Sequence, residues 1–354
     1  MHSTAHQTDV RTDGTWRAAF GRALVRHRLL ATLVGLHAGA AVVLKQLLAP
    51  QLAGEGFAAM AISFAGMLPI MVYFGLGLRF WHMQRVARPA NRAAWLKADL
   101  AAVVTDRDRL ADTALALGLV VVFLAAFAQT KGLITAIQPF AWDPALAAAD
   151  RALHFGLAPG AALQAVLGHP LVLTLVTGAY NFWLSLTMFV LFFACFARTD
   201  RLARMQFLLA FVLAWMLGGN VLATLFSSAG PVYVERLGLG SEFAPLMAAL
   251  ADHAAVAPVS VLPVQDWLWG LYVQPDGLKG ISAFPSVHVA TSVLMALYGF
   301  RLGRAAGWTL AGFATVIGLG SVLLAWHYAV DGYAGALVAV ACWAVAGRLV
   351  RRAA

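Results

Sequence analysis

The amino-acid sequence predicts an all-α membrane protein, a polytopic bundle of about eight transmembrane helices. Its 354 residues are 61% hydrophobic and only 12% charged, whereas an ordinary soluble domain is about 25% charged. Long apolar stretches recur along the chain, and the basic residues are concentrated in the segments between them. A soluble fold of this length could not bury so much apolar surface, but a bilayer solvates that surface directly.

Eight apolar stretches are long enough to cross a hydrocarbon core of about 30 Å as helices. We expect spans at residues 29–48, 57–78, 111–128, 171–196, 205–226, 284–300, 305–325 and 328–345. An arginine-rich segment, residues 1–28, precedes the first stretch. That stretch is too long for the apolar part of a signal peptide, so we expect it to be retained as a span.

The distribution of lysine and arginine predicts the orientation of the bundle. Most of the 25 basic residues lie at the two termini or in the loops that follow the second, fourth and sixth spans. The alternate segments contain only Lys45, Lys131, Arg151, Arg236 and Lys279. By the positive-inside rule, this asymmetry predicts a multi-pass cell-membrane protein with both termini in the cytoplasm.

The net charge of +9 does not indicate nucleic-acid binding, because the charges are spread over these short loops. Cys195 and Cys342 both lie inside apolar stretches. They therefore predict neither a disulfide framework nor a metal site.

Two longer segments, residues 131–170 and 227–283, are predicted to be extracytoplasmic. In the first, we expect an interfacial helix with Asp143 as its N-cap and Gly156 as its stop, and another from Pro159 to Gly168. A role in substrate binding and a role as a plain amphipathic linker are equally open. The second contains an aromatic cluster of the kind that favours the headgroup level, and long ordered loops are often functional.

Two motifs, at residues 280–288 and 327–333, place ionisable side chains at the ends of predicted membrane spans. Such side chains are rare in membrane spans and often functional. The sixth span runs inward from His288 and the seventh returns outward to His327, so both histidines should reach the outer bilayer boundary. Asp331 follows His327 by four residues and shares its helix face. A carboxylate there could hold the ring in one tautomer and stabilise its protonated form.

The first motif also predicts a phosphate site. Pro285 suits a loop that enters a helix, and the backbone N–H groups from Ser286 to His288 would point at an anion with the help of the helix dipole. The hydroxyl of Ser286 can add another donor.

The remaining polar residues of the spans and loops have less specific interpretations. We interpret His37, His82, His154 and His169 as satisfied interfacial residues. Tyr180, Asn181 and Asn220 are interpreted as interhelical hydrogen-bonding groups. For His253, which follows Asp252 in the second long loop, functional and structural roles both stay open.

At these motifs the sequence resembles the type-2 phosphatidic acid phosphatase superfamily, and more narrowly its branch of inositol phosphorylceramide synthases. The superfamily's Pro-Ser-Gly-His motif appears as Pro285-Ser286-Val287-His288, and its His-x-x-x-Asp motif appears at His327 and Asp331. Residues 226–233 resemble a further synthase-branch element. The resemblance covers about residues 111–350 and implies a six-helix catalytic core at residues 111–354, preceded at residues 1–110 by two additional spans and a basic cytoplasmic loop.

The sequence departs from the phosphatase branch in its cations. The Lys-x6-Arg-Pro motif is absent from the outer loops, and Ser321 stands where the phosphatases have an arginine. Arg236 and Lys279 are the nearest outer-face substitutes. Together with Ser286, and with Ser282 and Tyr233 from the resembling elements, they are our candidates for phosphate binding.

The resemblance implies that His327 attacks phosphorus and forms a phosphohistidine, that Asp331 supports it, and that His288 acts as general acid and then as general base. It implies no metal or other cofactor. We expect a phosphotransferase that moves a phospho-headgroup from a phospholipid donor to a lipid alcohol such as a ceramide or a polyprenol, with its site on the extracytoplasmic face. The alternatives are a lipid phosphate or polyprenyl pyrophosphate phosphatase that uses water, and a proton-coupled transporter.

Overall fold

The protein is helical throughout the residues that the computed structural model describes, which are 15–49, 56–197, 200–257, 260–274 and 280–353, and no strand is found among them. The predicted all-α class is confirmed. In chain order the helices are α1 (Trp16–Arg26), α2 (Arg28–Leu48), α3 (Gly56–His82), α4 (Arg92–Val104), α5 (Arg107–Gly132), α6 (Ile134–Ile137), α7 (Asp143–Leu153), α8 (Pro159–Leu167), α9 (Pro170–Phe196), α10 (Arg201–Ala214), α11 (Ala223–Leu225), α12 (Pro231–Val234), α13 (Ala244–Val256), α14 (Leu262–Val273), α15 (Val287–Leu302), α16 (Arg304–Leu323) and α17 (Ala329–Ala353). Two π-helical segments, Met83–Ala87 and Trp215–Leu222, continue α3 and α10.

Seven helices in these ranges are long and apolar enough to cross a membrane, and they confirm the polytopic bundle. They are Arg28–Leu48, Ala61–Ala87, Arg107–Ile137, Pro170–Phe196, Arg201–Leu225, Arg304–Leu323 and Ala329–Ala353. All the predicted spans except the sixth fall within one of them or overlap it closely.

The sixth predicted span forms α15, which has 16 residues and is about 24 Å long at 1.5 Å per residue. The expected start at residue 284 is too early, because Phe284 and Pro285 precede the helix. Ser286 is the N-cap, and its hydroxyl accepts a hydrogen bond from the amide of Val289 at 3.3 Å. The helix packs against α10, α16 and α17. This shorter helix therefore lies inside the bundle.

The N-terminal helices are joined to the rest of the bundle through α5. Helices α1, α2 and α3 all contact it. The guanidinium groups of Arg22 and Arg26 bind the carboxylates of Asp108 and Asp112 at 3.0 and 2.9 Å. The segment before residue 111 therefore packs directly on the first helix of the expected catalytic core.

The helical hairpin of α15 and α16 brings the two sequence motifs to one end of the bundle. Helix α15 starts next to His288, the chain turns at Gly303, and α16 returns to residue 323. In the turn that follows, the amides of Trp326 and His327 both donate to the backbone oxygen of Ser321, at 2.9 and 3.0 Å. This turn holds His327 just before α17 begins.

Candidate active site

His288 and His327 lie side by side, as the hairpin topology predicted. Their ring centroids are 5.9 Å apart, and the ring planes meet at 63°. His288 is in the first turn of α15, whereas His327 is in the turn between α16 and α17. Two imidazoles at this separation can act on a single group placed between them.

Asp331 orients His327 from the first turn of α17. Its Oδ2 lies 3.3 Å from Nδ1 of His327 and accepts a hydrogen bond from the amide of Tyr328 at 3.0 Å. The carboxyl group is fully buried. Because a carboxylate only accepts hydrogen bonds, Nδ1 carries the ring proton and Nε2 keeps its lone pair.

His288 is held by two aromatic side chains of α9. The ring of Tyr180 stacks on it at a centroid distance of 4.8 Å, and the ring of Trp183 lies 4.1 Å away. The indole N–H of Trp183 also donates to the backbone oxygen of His288 at 3.1 Å. Tyr180 was expected to make an interhelical hydrogen bond, but its buried hydroxyl has no partner among the described residues, and the contact is a ring stack instead.

The start of α15 has the form of an anion site. The hydroxyl of Ser286 caps the helix, so it is already engaged with Val289. The amides of Val287 and His288 have no acceptor in the described part of the chain. These two N–H groups, at the positive end of the helix dipole, are available to a phosphate as predicted. The third predicted donor, the amide of Ser286, is not, because it donates to the backbone oxygen of Asp331 at 2.9 Å.

Helix α7 connects the separate parts of this site through two buried carboxylates. Asp143 accepts hydrogen bonds from the amides of Ala229 and Gly230, at 2.9 and 2.8 Å, and from the hydroxyl of Tyr328 at 2.9 Å. The prediction that Asp143 caps its own helix is wrong, because the N-cap is Trp142 without a side-chain bond and the Asp143 carboxylate turns to the other loop.

Asp150, two turns further along α7, caps the helix that follows His327. Its two oxygens accept the amides of Ala329 and Val330, each at 2.8 Å. Burial raises the pKa of Asp150, while these two hydrogen bonds favour its ionised form. The structure thus adds a third role to the two left open for this segment, because α7 positions the first turn of α17.

The loop at residues 226–233 packs against the first motif. The backbone oxygen of Ser228 accepts the amide of Ala283 at 2.9 Å, and its hydroxyl accepts the amide of Phe284 at 3.1 Å. Gly230 has a φ of 90°, and a Cβ there would collide with the backbone oxygen of Trp326. This element therefore supports the first motif through the backbone and hydroxyl of Ser228, and at Gly230 it packs closely against the residue before His327.

A small cavity opens beside His327, and a cationic side chain contributes to its lining. Arg151 of α7 lines it together with His327, Tyr328 and Asp150. The guanidinium group of Arg151 forms an ion pair with Glu242. Arg151 was counted among the few outer-face basic residues, but no sequence pattern connects it with His327, from which it is separated by 176 positions along the chain.

The other predicted phosphate-binding residues have different surroundings. The hydroxyl of Tyr233 donates to the backbone oxygen of Gln265 at 3.0 Å, and Arg236 binds Asp266 at 2.5 Å and lies over the ring of Trp269. Ser282 is half-buried in the strand-free segment before α15. Lys279 lies outside the described residues. Contact with a phosphate stays a prediction for these four.

The remaining histidines of the long segments have protein partners. Nε2 of His253 donates to the backbone oxygen of Pro170 at 3.1 Å and lies 3.2 Å from the hydroxyl of Thr174. These contacts favour the structural interpretation of His253. His154 accepts a hydrogen bond from the hydroxyl of Tyr333 at 2.9 Å. Over the described ranges, no three His, Cys, Asp or Glu side chains lie close enough together to hold a metal ion.

Comparison with known proteins supports the resemblance of the motifs. A family model of the PAP2 superfamily, the type-2 phosphatidic acid phosphatases, matches residues 144–345. This range includes both histidines, Asp331, Asp150 and Arg151. No curated protein and no solved structure matches the chain.

Proposed function

Because the chain belongs to the PAP2 superfamily, whose members are membrane lipid phosphatases and phosphotransferases, we propose that it is a phosphotransferase that moves a phospho-headgroup from a glycerophospholipid to a lipid alcohol. The observation that carries the proposal is the pair of imidazoles with ring centroids 5.9 Å apart, one of which has its Nδ1 occupied by Asp331. Membership of this family of enzymes also removes the reason to consider a proton-coupled transporter.

In the first step, Nε2 of His327 attacks the phosphorus of the donor. The N–P bond forms as the bond to the diacylglycerol oxygen breaks, and His288 gives its proton to the departing alkoxide. The positive charge that develops on His327 is stabilised by Asp331, which accepts the hydrogen bond from Nδ1. The products are a phosphohistidine that carries the headgroup and a free diacylglycerol.

In the second step, the acceptor hydroxyl replaces the departed alcohol. His288, now without its proton, takes the hydroxyl proton as the oxygen attacks phosphorus and the N–P bond breaks. Throughout, the amides of Val287 and His288 bind the phosphoryl oxygens, whose negative charge the helix dipole also favours.

Arg151 supplies positive charge that the phosphatase-branch residues would otherwise provide. It shares a cavity with His327, and Glu242 holds its guanidinium group. Guanidinium groups bind phosphate oxygens with two parallel hydrogen bonds, which suits a ligand at the mouth of this site. We assign the site to the extracytoplasmic face, because the arginine-containing turn at Gly303 is at the other end of α15 and α16.

The test uses purified protein in detergent with donors labelled with ³²P in the phosphate, together with ceramide and polyprenol acceptors. We expect a new labelled phospholipid whose formation depends on the acceptor. Release of water-soluble labelled phosphate or phospho-headgroup, unaffected by any acceptor, would instead identify a phosphatase and refute the transferase.

Trapping of the intermediate tests the roles of the residues. Wild-type protein quenched in alkali during turnover should carry an acid-labile, alkali-stable label on His327, and the His327→Ala variant should carry none. The His288→Ala variant should acquire the label more slowly, because it lacks the general acid of the first step. His82→Ala, which changes a histidine that stacks on Trp95, is the matched control and should turn over normally. Full turnover by either active-site variant would contradict the role assigned to that residue.

A further inference from the structure

A second cavity lies on the His288 side of the bundle, and it differs from the cavity beside His327 in its lining. It has a volume of about 350 Å³, which is within the range of small-molecule sites. Helices α3, α5, α9 and α14 and the π-helical segment after α10 contribute to its lining. Representative residues are Phe64, Met67, Leu124, Leu184, Trp215 and Leu268. Nearly all of the surface is apolar.

Lys131, at the end of α5, is the one cation among the described residues that line this cavity. It makes no hydrogen bond or ion pair with any described residue. A lysine ammonium within a membrane-spanning segment is costly unless an anion or water compensates it, and such residues commonly mark a binding site. An apolar wall with one uncompensated cation is complementary to a lipid that has a negative headgroup.

The cavity is connected to the catalytic histidines. The ring of Phe127, one turn before Lys131 in the same lining, contacts the ring of Trp215 at a centroid distance of 4.7 Å. Trp215, in the cavity lining, stacks in parallel with Trp183 at a centroid distance of 6.4 Å, and Trp183 contacts His288. A ligand whose charge lies at Lys131 would therefore have its headgroup in the cavity that these rings connect to the acid–base residue.

We propose that this cavity binds the acyl chain of an anionic phospholipid, with Lys131 on the phosphate, and that the lipid enters through it to reach His288. The identification of the lipid as a reactant rests on the proposed function, whereas the binding itself does not. Helix α3 belongs to the segment that the family resemblance leaves unexplained, and the inference gives that segment a role as one wall of the lipid site.

The site can be tested with a phospholipid that carries a photoactivatable diazirine in its acyl chain. The protein is the His327→Ala variant, which binds lipid without consuming it. The probe is presented as phosphatidylglycerol or as phosphatidylcholine with the same chains, and the labelled residues are located by mass spectrometry. We expect phosphatidylglycerol to label the cavity residues of α3, α5 and α14.

Adding Lys131→Gln should reduce labelling by phosphatidylglycerol at least about fivefold, since a lysine near the membrane surface favours an anionic lipid by roughly 1 kcal/mol. Labelling by phosphatidylcholine should fall less, because the choline ammonium already compensates the charge of its phosphate. Lys45→Gln, the same change outside the cavity, is the control. Equal labelling by the two lipids, or loss of labelling with Lys45→Gln alone, would overturn the inference.

The two proposals can fail separately. If labelling depends on Lys131 but the wild-type protein transfers no headgroup, the lipid site stands and the proposed reaction falls. If transfer occurs but the cavity is not labelled, the reaction stands and the lipid must enter by another route.

Discussion

The backbone amide of Ser286 donates a hydrogen bond to the backbone oxygen of Asp331 at 2.9 Å. This bond joins the residue that caps α15 to the residue that orients His327. It therefore holds the two motifs in register through the main chain, independently of either imidazole.

The register depends on a glycine one turn after Asp331. A Cβ at Gly335 would collide with the backbone oxygen of Ser286, whereas a Cβ at Gly312 of α16 would meet nothing within 4 Å. We expect Gly335→Ala to push α17 away from α15 and to cost about 1–3 kcal/mol of stability, as overpacking does. Turnover should fall strongly.

Gly312→Ala is the matched control for this change. Both substitutions replace a helical glycine with alanine, and this exchange by itself stabilises a helix by about 1 kcal/mol. Thermal unfolding and turnover of the two variants provide the comparison. Equal turnover of Gly335→Ala and Gly312→Ala would show that the contact does not set the catalytic geometry.

Asp150→Ala should damage the site without altering any reacting group. The change leaves the amides of Ala329 and Val330 without their acceptor in a buried position, at a cost of about 1–3 kcal/mol for an unsatisfied group. We expect turnover to fall and Asp150→Asn, which keeps one acceptor oxygen, to recover part of it. The exposed Asp252→Ala is the control. Hydrogen exchange at the start of α17 should increase in Asp150→Ala, and an unchanged rate there would contradict the capping role.

Arg151→Gln tests the cation beside His327. We expect the turnover of the variant to fall at least tenfold, in line with the roughly 10²–10³-fold effect of a lost oxyanion donor, while folding is preserved. Glu242→Gln should have a smaller effect, because it removes only the group that holds the guanidinium. Arg304→Gln, at the other end of the bundle, should behave like the wild type. An unaffected Arg151→Gln enzyme would mean that the phosphate is bound by other cations.

A pH-dependent contribution to stability is expected far from the site, at Asp200. Its carboxylate accepts the amide of Ala203 at 2.9 Å and binds Arg301 at 2.7 Å, and these contacts hold the pKa of Asp200 below its ordinary value of 3.8. The stabilisation is therefore complete above pH 3.8 and is lost as the pH falls through the lowered pKa.

The Asp200→Asn variant measures this contribution. Asparagine tolerates the left-handed backbone at this position and still caps the helix, so only the charge is removed. At pH 7 we expect the variant to unfold about 1–2 °C below the wild type, as suits a partly exposed ion pair worth up to about 1 kcal/mol. The difference should shrink towards zero as the pH falls below 3.8, and a difference that grows instead would reverse the assigned sign.

The proximity of His288 and His327 was predictable from the sequence because it follows from chain topology. Two antiparallel helices of similar length necessarily return to the same end of the bundle. The i to i+4 spacing of His327 and Asp331 is likewise local. The boundary of α15 was harder to predict, since apolar composition alone does not distinguish Phe284 in a loop from Phe284 in a helix, and the Ser286 cap decides it.

The roles of Asp143 and Asp150 could not be predicted in the same way. Both carboxylates bind backbone amides. Because almost every residue has a backbone amide, no sequence pattern shows which amides will be bound. Arg151 and Tyr180 approach the histidines only through the packing of α7 and α9, which no local pattern specifies. The available signal was the seven-residue spacing of the two aspartates, which places both on one face of a predicted interfacial helix.

Asp150 and Ala329, whose amide donates a hydrogen bond to the Asp150 carboxylate, are 179 positions apart in the sequence. During synthesis, Asp150 leaves the ribosome well before Ala329 has been added to the chain. Its carboxylate therefore lacks this hydrogen-bond donor while the intervening helices enter the bilayer. The proposed catalytic site can be completed only when α17 has packed against the bundle. On the proposed mechanism, a nascent or truncated chain without α17 should therefore be inactive towards the lipids that surround it.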